Sequence, residues 1–248
     1  MARSYNGPHT VRRINCPETE LIGMPGMNAH VNWAMTQTDA EVVMQLSADD
    51  YDLAERAILT RKAFDEHEPS MVCVSQYYVN EKMEYQGETP HAHEDRWLTL
   101  EDMTINLMGG STCQAWTREF WDKIGGLEGV GSMDVVMPPL AVMDKGAWLV
   151  KARAHCYRKV TSLNNTGLEG VYYHHPEGSK ERMQLTELMH YQILSGYYTV
   201  MRKMDAAGWR TPAAEVALAN CILDRCASFV VTRDKMTFDC THPIPFRV

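Results

Sequence analysis

The segment that most constrains the fold is AEVVMQLS at residues 40–47, a nearly continuous apolar run of strand length. Such runs are typical of strands that are buried on both faces of a parallel sheet. A helical pattern follows at residues 53–67, and SMVCVSQYYV at residues 70–79 is a second strand pattern. Because a strand, a helix and a strand in this order form a βαβ unit, the sequence predicts an α/β fold with a mainly parallel sheet flanked by helices. We expect the helix to turn four side chains inward: Leu53, Ala57, Ile58 and Phe64.

Local signals predict further elements on both sides of this unit. TELIGMP at residues 19–25 predicts a short strand that a Pro-Gly pair ends, and MNAHVNWAMTQT at residues 27–38 predicts a helix. Later, TREFWDKI predicts a helix that Thr117 caps and Gly125 closes. AWLVKARAHCYRKV at residues 147–160 predicts a final strand.

Two longer helical patterns occupy the C-terminal third of the chain, at residues 180–208 and 211–231, and WRTP joins them. They differ from the strand and helix alternation that precedes them. We therefore divide the chain into an α/β domain of residues 1–165 and a helical C-terminal extension of residues 166–248.

Composition excludes some classes of function. The chain has 24 basic and 32 acidic residues, a net charge of −8, so no broad basic face for nucleic acid is expected. Its longest apolar runs are too short to span a bilayer, and we expect no membrane association. The amino terminus lacks the apolar core of a secretory signal, and the 7 cysteines include no Cys-x-x-Cys pair. These features predict reduced thiols and a cytoplasmic protein.

Four local patterns follow one another between residues 20 and 165. They are MNAHVNWAM (27–35), VVMQLSADDY (42–51), GGSTCQAWTREFWDKIGGLEG (109–129), and Asp134 followed by a helix and a strand that ends in Tyr157 and Arg158. In this order they resemble the nucleotide-sugar-dependent glycosyltransferases of family 2, which have the GT-A fold. The resemblance implies a GT-A-like domain that transfers a sugar from a nucleoside diphosphate, most simply a UDP-sugar, to an acceptor that the sequence does not identify.

The chain departs from the family pattern in two places. Ser47 replaces the first acid of the family's triplet, and RSYNGPHT at residues 3–10 resembles only the tail of an opening motif, with Ala2 and Arg3 where acids are expected. We therefore expect a nucleotide pocket that is rebuilt or lost, or one that another chain completes. Missing early strands would expose a sheet edge, so we expect a homo-oligomer or a partner chain that completes the sheet, or the helical extension folded over the gap.

Asp49 and Asp50 are adjacent carboxylates at the carboxyl end of a predicted strand, where α/β sheets bind ligands. A divalent cation, Mn²⁺ or Mg²⁺, would neutralise them and stabilise the charge of a departing diphosphate. The resemblance implies that Asp50 contacts the metal, and that Asp49 contacts the ribose or, through water, the metal. The alternative is that the pair only caps the helix that follows.

Asp134 is the candidate general base, because inverting transfer requires a group that takes the proton of the acceptor hydroxyl. The alternative is a helix that simply opens near Ser132. His155 is a candidate third metal ligand or diphosphate contact, and it is otherwise a structural histidine. Arg158 is a candidate phosphate contact or a solvated cation.

Asn28 and Asn32 lie one turn apart on one helix face. They are candidates for holding the nucleotide, and the alternative is that they bridge the helix to a loop. The tryptophans at positions 116 and 121 are expected to pack in the core by default.

Two other functions remain open at this point. One is a non-catalytic or split GT-A subunit that binds a partner chain supplying the nucleotide pocket. The other is a metal-dependent nucleotidyl-transfer enzyme on a similar sheet, which would release pyrophosphate instead of a nucleoside diphosphate.

Overall fold

The computed structural model describes residues 23–46, 51–80, 82–88, 94–103, 113–129, 131, 133–158, 175–176 and 178–234. Its strands are β1 Val42–Met44, β2 Tyr51–Asp52, β3 Met71–Val79, β4 Tyr85–Glu88, β5 Arg96–Trp97, β6 Gln114–Thr117 and β7 Ala147–Arg158. Its helices are α1 Gly23–Thr36, α2 Arg56–His67, α3 Arg118–Ile124, α4 Met133–Met143, α5 Lys180–Ala207 and α6 Pro212–Asp234, with a 3₁₀ turn at Glu101–Met103.

The strands form one sheet in the order β1-β6-β3-β7-β2, with β4 added to β3 and β5 added to β7. Helices on both sides of the sheet and a helical C-terminal extension confirm the predicted α/β class. The prediction of a mainly parallel sheet is wrong, because among the described pairings only β3 with β7 is parallel. The apolar run at residues 40–47 forms the edge strand β1, whose residues are partly buried or exposed, and the central strand β3 is buried between one antiparallel and one parallel neighbour. An apolar run thus does not reveal the direction of the neighbouring strands.

Strand β3 shows how the two faces of the sheet are covered. Val72 and Val74 point into a cluster with Ala63 and Phe64 of α2. The alternate residues of β3 point to the other face, as the pleat requires. There they join a larger cluster with side chains of α3, α4, α5 and α6, which includes Met71, Cys73, Phe120, Met133, Val136, Leu140, Tyr197, Val200 and Leu218.

Short sequence signals set the ends of several elements. The Thr117 hydroxyl accepts a hydrogen bond from the Phe120 N–H at 3.2 Å, and Gly125 ends α3 in the left-handed region at φ 69°. This confirms the predicted cap and stop. The strand predicted at residues 19–25 is wrong where the structure describes it, because Gly23 already opens α1. Proline is compatible with a first helical turn, so Pro25 does not interrupt the helix.

The two helices of the extension are confirmed. Ser179 caps α5 by accepting from the Arg182 N–H at 3.3 Å, and Gly208 ends it at φ 71°. The division of the chain at residues 165 and 166 stays a prediction, since residues 159–174 are outside the described part. Across the helices that the structure describes, none is both long and apolar enough to span a membrane.

Candidate functional site

The predicted metal ligands Asp49 and Asp50 lie outside the described residues, but the chain on either side of them is described. Both flanks contact one side chain, Arg56, at the start of α2. Its Nη2 donates to the Gln45 carbonyl oxygen at 2.8 Å, and its Nη1 donates to Asp52 Oδ1 at 2.5 Å. Arg56 is 1% exposed. We call residues 47–50 the acidic segment. A buried guanidinium therefore bonds to the chain on both sides of this segment.

Strand β2 carries the chain from the acidic segment to β7. Tyr51, the residue after Asp50, lies opposite Cys156, and Asp52 lies opposite His155. The antiparallel register thus brings the two residues that follow the acids in the chain beside the strand that carries His155. The side chains of His155 and Arg158 are outside the described part, and their predicted roles stay predictions.

Asp134 lies in the first turn of α4 and is half-buried. The N-terminal end of a helix favours a negative charge, so the backbone around Asp134 supports its anionic form. On the adjacent α5, burial together with the Cys221 thiol and the Asp134 carboxylate raises the pKa of Tyr197 to about 12. The helical extension therefore places a neutral phenol near the predicted base.

Asn28 and Asn32 hold the loop that leads into α4. Asn28 Nδ2 donates to the carbonyl oxygens of Gly129 at 3.2 Å and Gly131 at 3.0 Å. Asn32 makes a reciprocal pair with Leu127, in which its Nδ2 donates to the carbonyl at 2.7 Å and its Oδ1 accepts from the N–H at 2.9 Å. These contacts correspond to the alternative interpretation, a bridge from helix to loop. Direct contact of either amide with a nucleotide stays a prediction.

A cavity of about 500 Å³ lies between α1 and β1, and residues on the flank of the acidic segment line it. Two residues of its lining, Trp116 and Gln45, each carry a buried polar atom, Nε1 and Oε1, that has no hydrogen-bond partner within the part of the chain that the structure describes. Buried polar atoms are ordinarily satisfied, so these two side chains are candidates for binding a polar group. The rest of the lining is mostly apolar: Val31, Ala34, Met35, Val43, Met44 and Leu46, with Gln37 and Thr38.

Sequence reasoning missed Arg56 and Gln45. The available signal for Arg56 was its spacing of four residues from Asp52, which is typical of an ion pair. Core packing of the two tryptophans is confirmed: both are buried, and the rings of Trp116 and Trp121 stack with centroids 5.7 Å apart. The indole N–H of Trp116 nonetheless has no hydrogen-bond partner among the described residues, which no sequence pattern indicates.

The predicted metal ligands cannot be matched to described side chains, since those of Asp49, Asp50 and His155 are all outside the described part. Over the described residues, there is no group of three or more histidine, cysteine, aspartate or glutamate side chains that could hold a metal ion. The use of Mn²⁺ or Mg²⁺ therefore stays a prediction.

Within the described residues, fold and side chains together define an α/β protein with a lined cavity beside β1 and a half-buried aspartate at the start of α4. No protein-family profile matches the chain, and no curated protein matches it. Among solved structures it is similar to TarS of S. aureus. For residues 1–349 of TarS in complex with UDP-GlcNAc, the identity is 13%, the match covers 84% of this chain and 72% of that chain, and the TM-score is 0.43. For the complex with UDP, the values are 12%, 90%, 74% and 0.46.

Proposed function

We propose that this protein is a glycosyltransferase that moves a sugar from a nucleoside diphosphate sugar to an acceptor hydroxyl, with inversion and with a divalent metal. The observation that carries the proposal is the arrangement of the two flanks of the acidic segment. One flank, Gln45 and Leu46, lines the cavity, and the other, β2, pairs with β7 at His155. Arg56 bonds to both flanks, and the order of the four sequence patterns supports the same assignment.

The nucleobase is proposed to occupy the cavity between α1 and β1. There the Trp116 indole N–H would donate to a base carbonyl, and Gln45 Oε1 would accept from a base N–H. A donor and an acceptor in the same lining would suit the imide edge of uracil, which presents a carbonyl beside an N–H. This complementarity supports a UDP-sugar as the donor.

The diphosphate is proposed to lie at the acidic segment. Asp50, Asp49 and His155 would hold Mn²⁺ or Mg²⁺, and the ion when bound supplies positive charge to the leaving diphosphate. Asp49 would also contact the ribose, and Arg158 would contact a phosphate oxygen. Helix α1, which carries Asn28 and Asn32, would form one wall of the donor cavity through other residues.

Asp134 is proposed to accept the proton of the acceptor hydroxyl while the oxygen attacks the anomeric carbon. The new bond forms between the acceptor oxygen and that carbon, and the bond from the carbon to the diphosphate oxygen breaks. The nucleoside diphosphate departs with the bonding electron pair. Attack opposite the leaving group inverts the configuration at the anomeric carbon.

The test is binding and turnover with a panel of UDP-sugars in the presence of Mn²⁺. We expect UDP to bind, nucleoside diphosphate to be released, and Asp50→Ala to abolish both the metal dependence and the turnover. Asp122→Ala is the matched control, because the Asp122 side chain on α3 is 64% exposed and is not part of the cavity lining. Release of pyrophosphate would favour nucleotidyl transfer, and absence of binding to any nucleotide sugar would refute the proposal.

A second candidate function is a binding subunit that a partner chain completes. The observation in its favour is that β1 is the last strand of the sheet in the described residues, with Met44 and Leu46 exposed beside it. An exposed apolar edge strand is a surface for adding a strand from another chain. Mixing with such a partner would restore turnover to a split enzyme and would leave a scaffold inactive.

A further inference from the structure

In the loop of residues 127–131, the backbone of Leu127 is hydrogen-bonded to the Asn32 side chain, and the carbonyls of Gly129 and Gly131 are hydrogen-bonded to the Asn28 side chain. Asn28 is 2% exposed, so its amide has left water and depends on the two loop carbonyls for its hydrogen bonds. At Gly126, where φ is +72°, an added Cβ would lie 2.7 Å from Asn32 Oδ1. A side chain at the residue just before the loop would therefore collide with Asn32.

Helix α5 contacts the same loop from another side. An added Cβ at Gly131 would lie 2.8 Å from the Gly196 Cα, so the loop and α5 meet backbone to backbone. Lys203 Nζ donates to the Ile124 carbonyl oxygen at 2.5 Å, and Glu128 pairs with Arg202 and with Lys203. The loop is therefore fixed between α1 and α5 along most of its length.

This loop leads directly into the helix that carries the predicted base. Gly131, the last loop residue bonded to Asn28, is three residues before Asp134. A general base acts only within hydrogen-bond reach of its proton, and small displacements of such a group reduce rates strongly. We infer that Asn28 and Asn32 are positioning residues, which fix the loop between α1 and α5 and thereby set the place of Asp134. The inference rests on the proposed function of Asp134.

A positioning role differs from a purely structural one in what it changes. Loss of the hydrogen bonds from Asn28 and Asn32 to the loop should lower kcat. It should leave nucleotide binding nearly unchanged, because other residues of α1 line the cavity. Asn28→Asp is the sharpest variant, since it keeps the side-chain shape and places a carboxylate oxygen where the amide donated to two carbonyls. Asn32→Asp is the conservative companion, because it keeps the acceptor for the Leu127 N–H and loses only the donor.

Ser70→Ala is a matched control at the opposite end of α4. Ser70 is fully buried, its hydroxyl donates to Asp144 Oδ2 at 2.5 Å, and it accepts from the Lys145 N–H at 3.1 Å. It therefore ties down the chain just after α4, as Asn28 ties down the chain just before it. We expect Ser70→Ala to lower stability without changing kcat.

The experiment measures kcat, the KM for the UDP-sugar and amide hydrogen exchange for the wild type and the three variants. We expect kcat to fall about 10- to 100-fold in Asn28→Asp, less in Asn32→Asp, with the donor KM changed less than about threefold. Exchange should accelerate in residues 127–136 in Asn28→Asp and not in Ser70→Ala.

The outcomes separate the inference from the proposed function. An active wild type with an unchanged kcat in Asn28→Asp, or with an equal loss in Ser70→Ala, refutes the positioning role alone. A rise in donor KM without a fall in kcat also refutes it, and indicates direct nucleotide binding by the asparagines. A wild type that turns over no nucleotide sugar refutes the proposed function, and with it the catalytic part of this inference.

Discussion

Replacing Arg56 should cost more free energy of unfolding than replacing any exposed arginine of the same helix. The guanidinium is 1% exposed, and the side chain of its partner Asp52 is 21% exposed. Arg56→Met removes the charge and the donor to the Gln45 carbonyl but retains most of the buried stem. What remains is a partly buried carboxylate and a carbonyl oxygen that have both lost a hydrogen bond.

The magnitude follows from two contributions. Removing one member of a buried ion pair typically costs about 3–5 kcal/mol, and the partial exposure of Asp52 lets water offset some of that loss. The lost bond to the backbone carbonyl adds about 1 kcal/mol. We therefore expect Arg56→Met to lower the free energy of unfolding by about 2–4 kcal/mol, which is a large fraction of the stability of an ordinary domain.

A double-mutant cycle with Asp52→Asn measures the coupling between the two side chains. Urea denaturation of the wild type, both single variants and the double variant should give a coupling of about 1 kcal/mol or more. Arg61 and Asp65 provide the matched control: they are also four residues apart, on the same helix, with side chains 63% and 52% exposed. We expect no measurable coupling there.

The reasoning is refuted if the stability losses of the Arg56 and Asp52 variants add up in the double variant. It is also refuted if the exposed pair shows as large a coupling energy as the buried pair. The Mn²⁺ affinity of Arg56→Met tests whether Arg56 also supports the proposed metal site. Because Arg56 bonds to both flanks of residues 47–50, its loss should weaken Mn²⁺ binding by about 10- to 100-fold, as for other residues that orient metal ligands. Unchanged Mn²⁺ affinity in a folded Arg56→Met would separate Arg56 from the proposed metal site.

Two further predictions concern the helical extension. Burial and the nearby Arg225 lower the pKa of His190 from its ordinary value of 6.5, so the unfolded chain binds a proton more readily than the folded one. The free energy of unfolding should therefore fall as the pH drops below 6.5, and His190→Gln should reduce this slope in urea titrations at several pH values; a slope equal to that of the wild type would contradict the prediction. Gly131→Ala should cost about 1–3 kcal/mol, because its Cβ would lie 2.8 Å from a backbone atom of Gly196. An urea midpoint equal to that of the wild type would contradict the close approach.

The elements of the fold that sequence predicted well are those with strong local signals. α3 is bounded by Thr117 and Gly125 as expected, because a cap and a left-handed glycine act within one turn. The inward face of α2 was predicted less well: Phe64 is buried, but Ile58 is 71% exposed and Arg56 takes a buried position instead. Apolar spacing alone does not reveal that a charged side chain with two fixed partners is buried at low cost.

Sheet topology and the contacts of the site depend on distant residues, and no local pattern encodes them. Asn28 and Gly131 are 103 residues apart in the chain, and Ser75 donates to the Val150 carbonyl across a similar separation. The sequence placed Asn28 and Asn32 correctly on one helix face and identified both possible roles. The partners of these two asparagines depend on where α3 and α4 lie. That placement is set by the assembled sheet and not by local sequence.

The helical extension belongs to the same core as the sheet. Val200 of α5 and Leu218 of α6 are almost fully buried, and they share one hydrophobic cluster with side chains of α4 and the sheet. Burying a side chain of this size contributes about 1.5–3 kcal/mol, so these two alone contribute about 3–6 kcal/mol, a large fraction of the stability of a typical domain. Since α5 also contacts the loop before Asp134, the helices that sequence set apart as an extension are a structural condition for the proposed base to be in place.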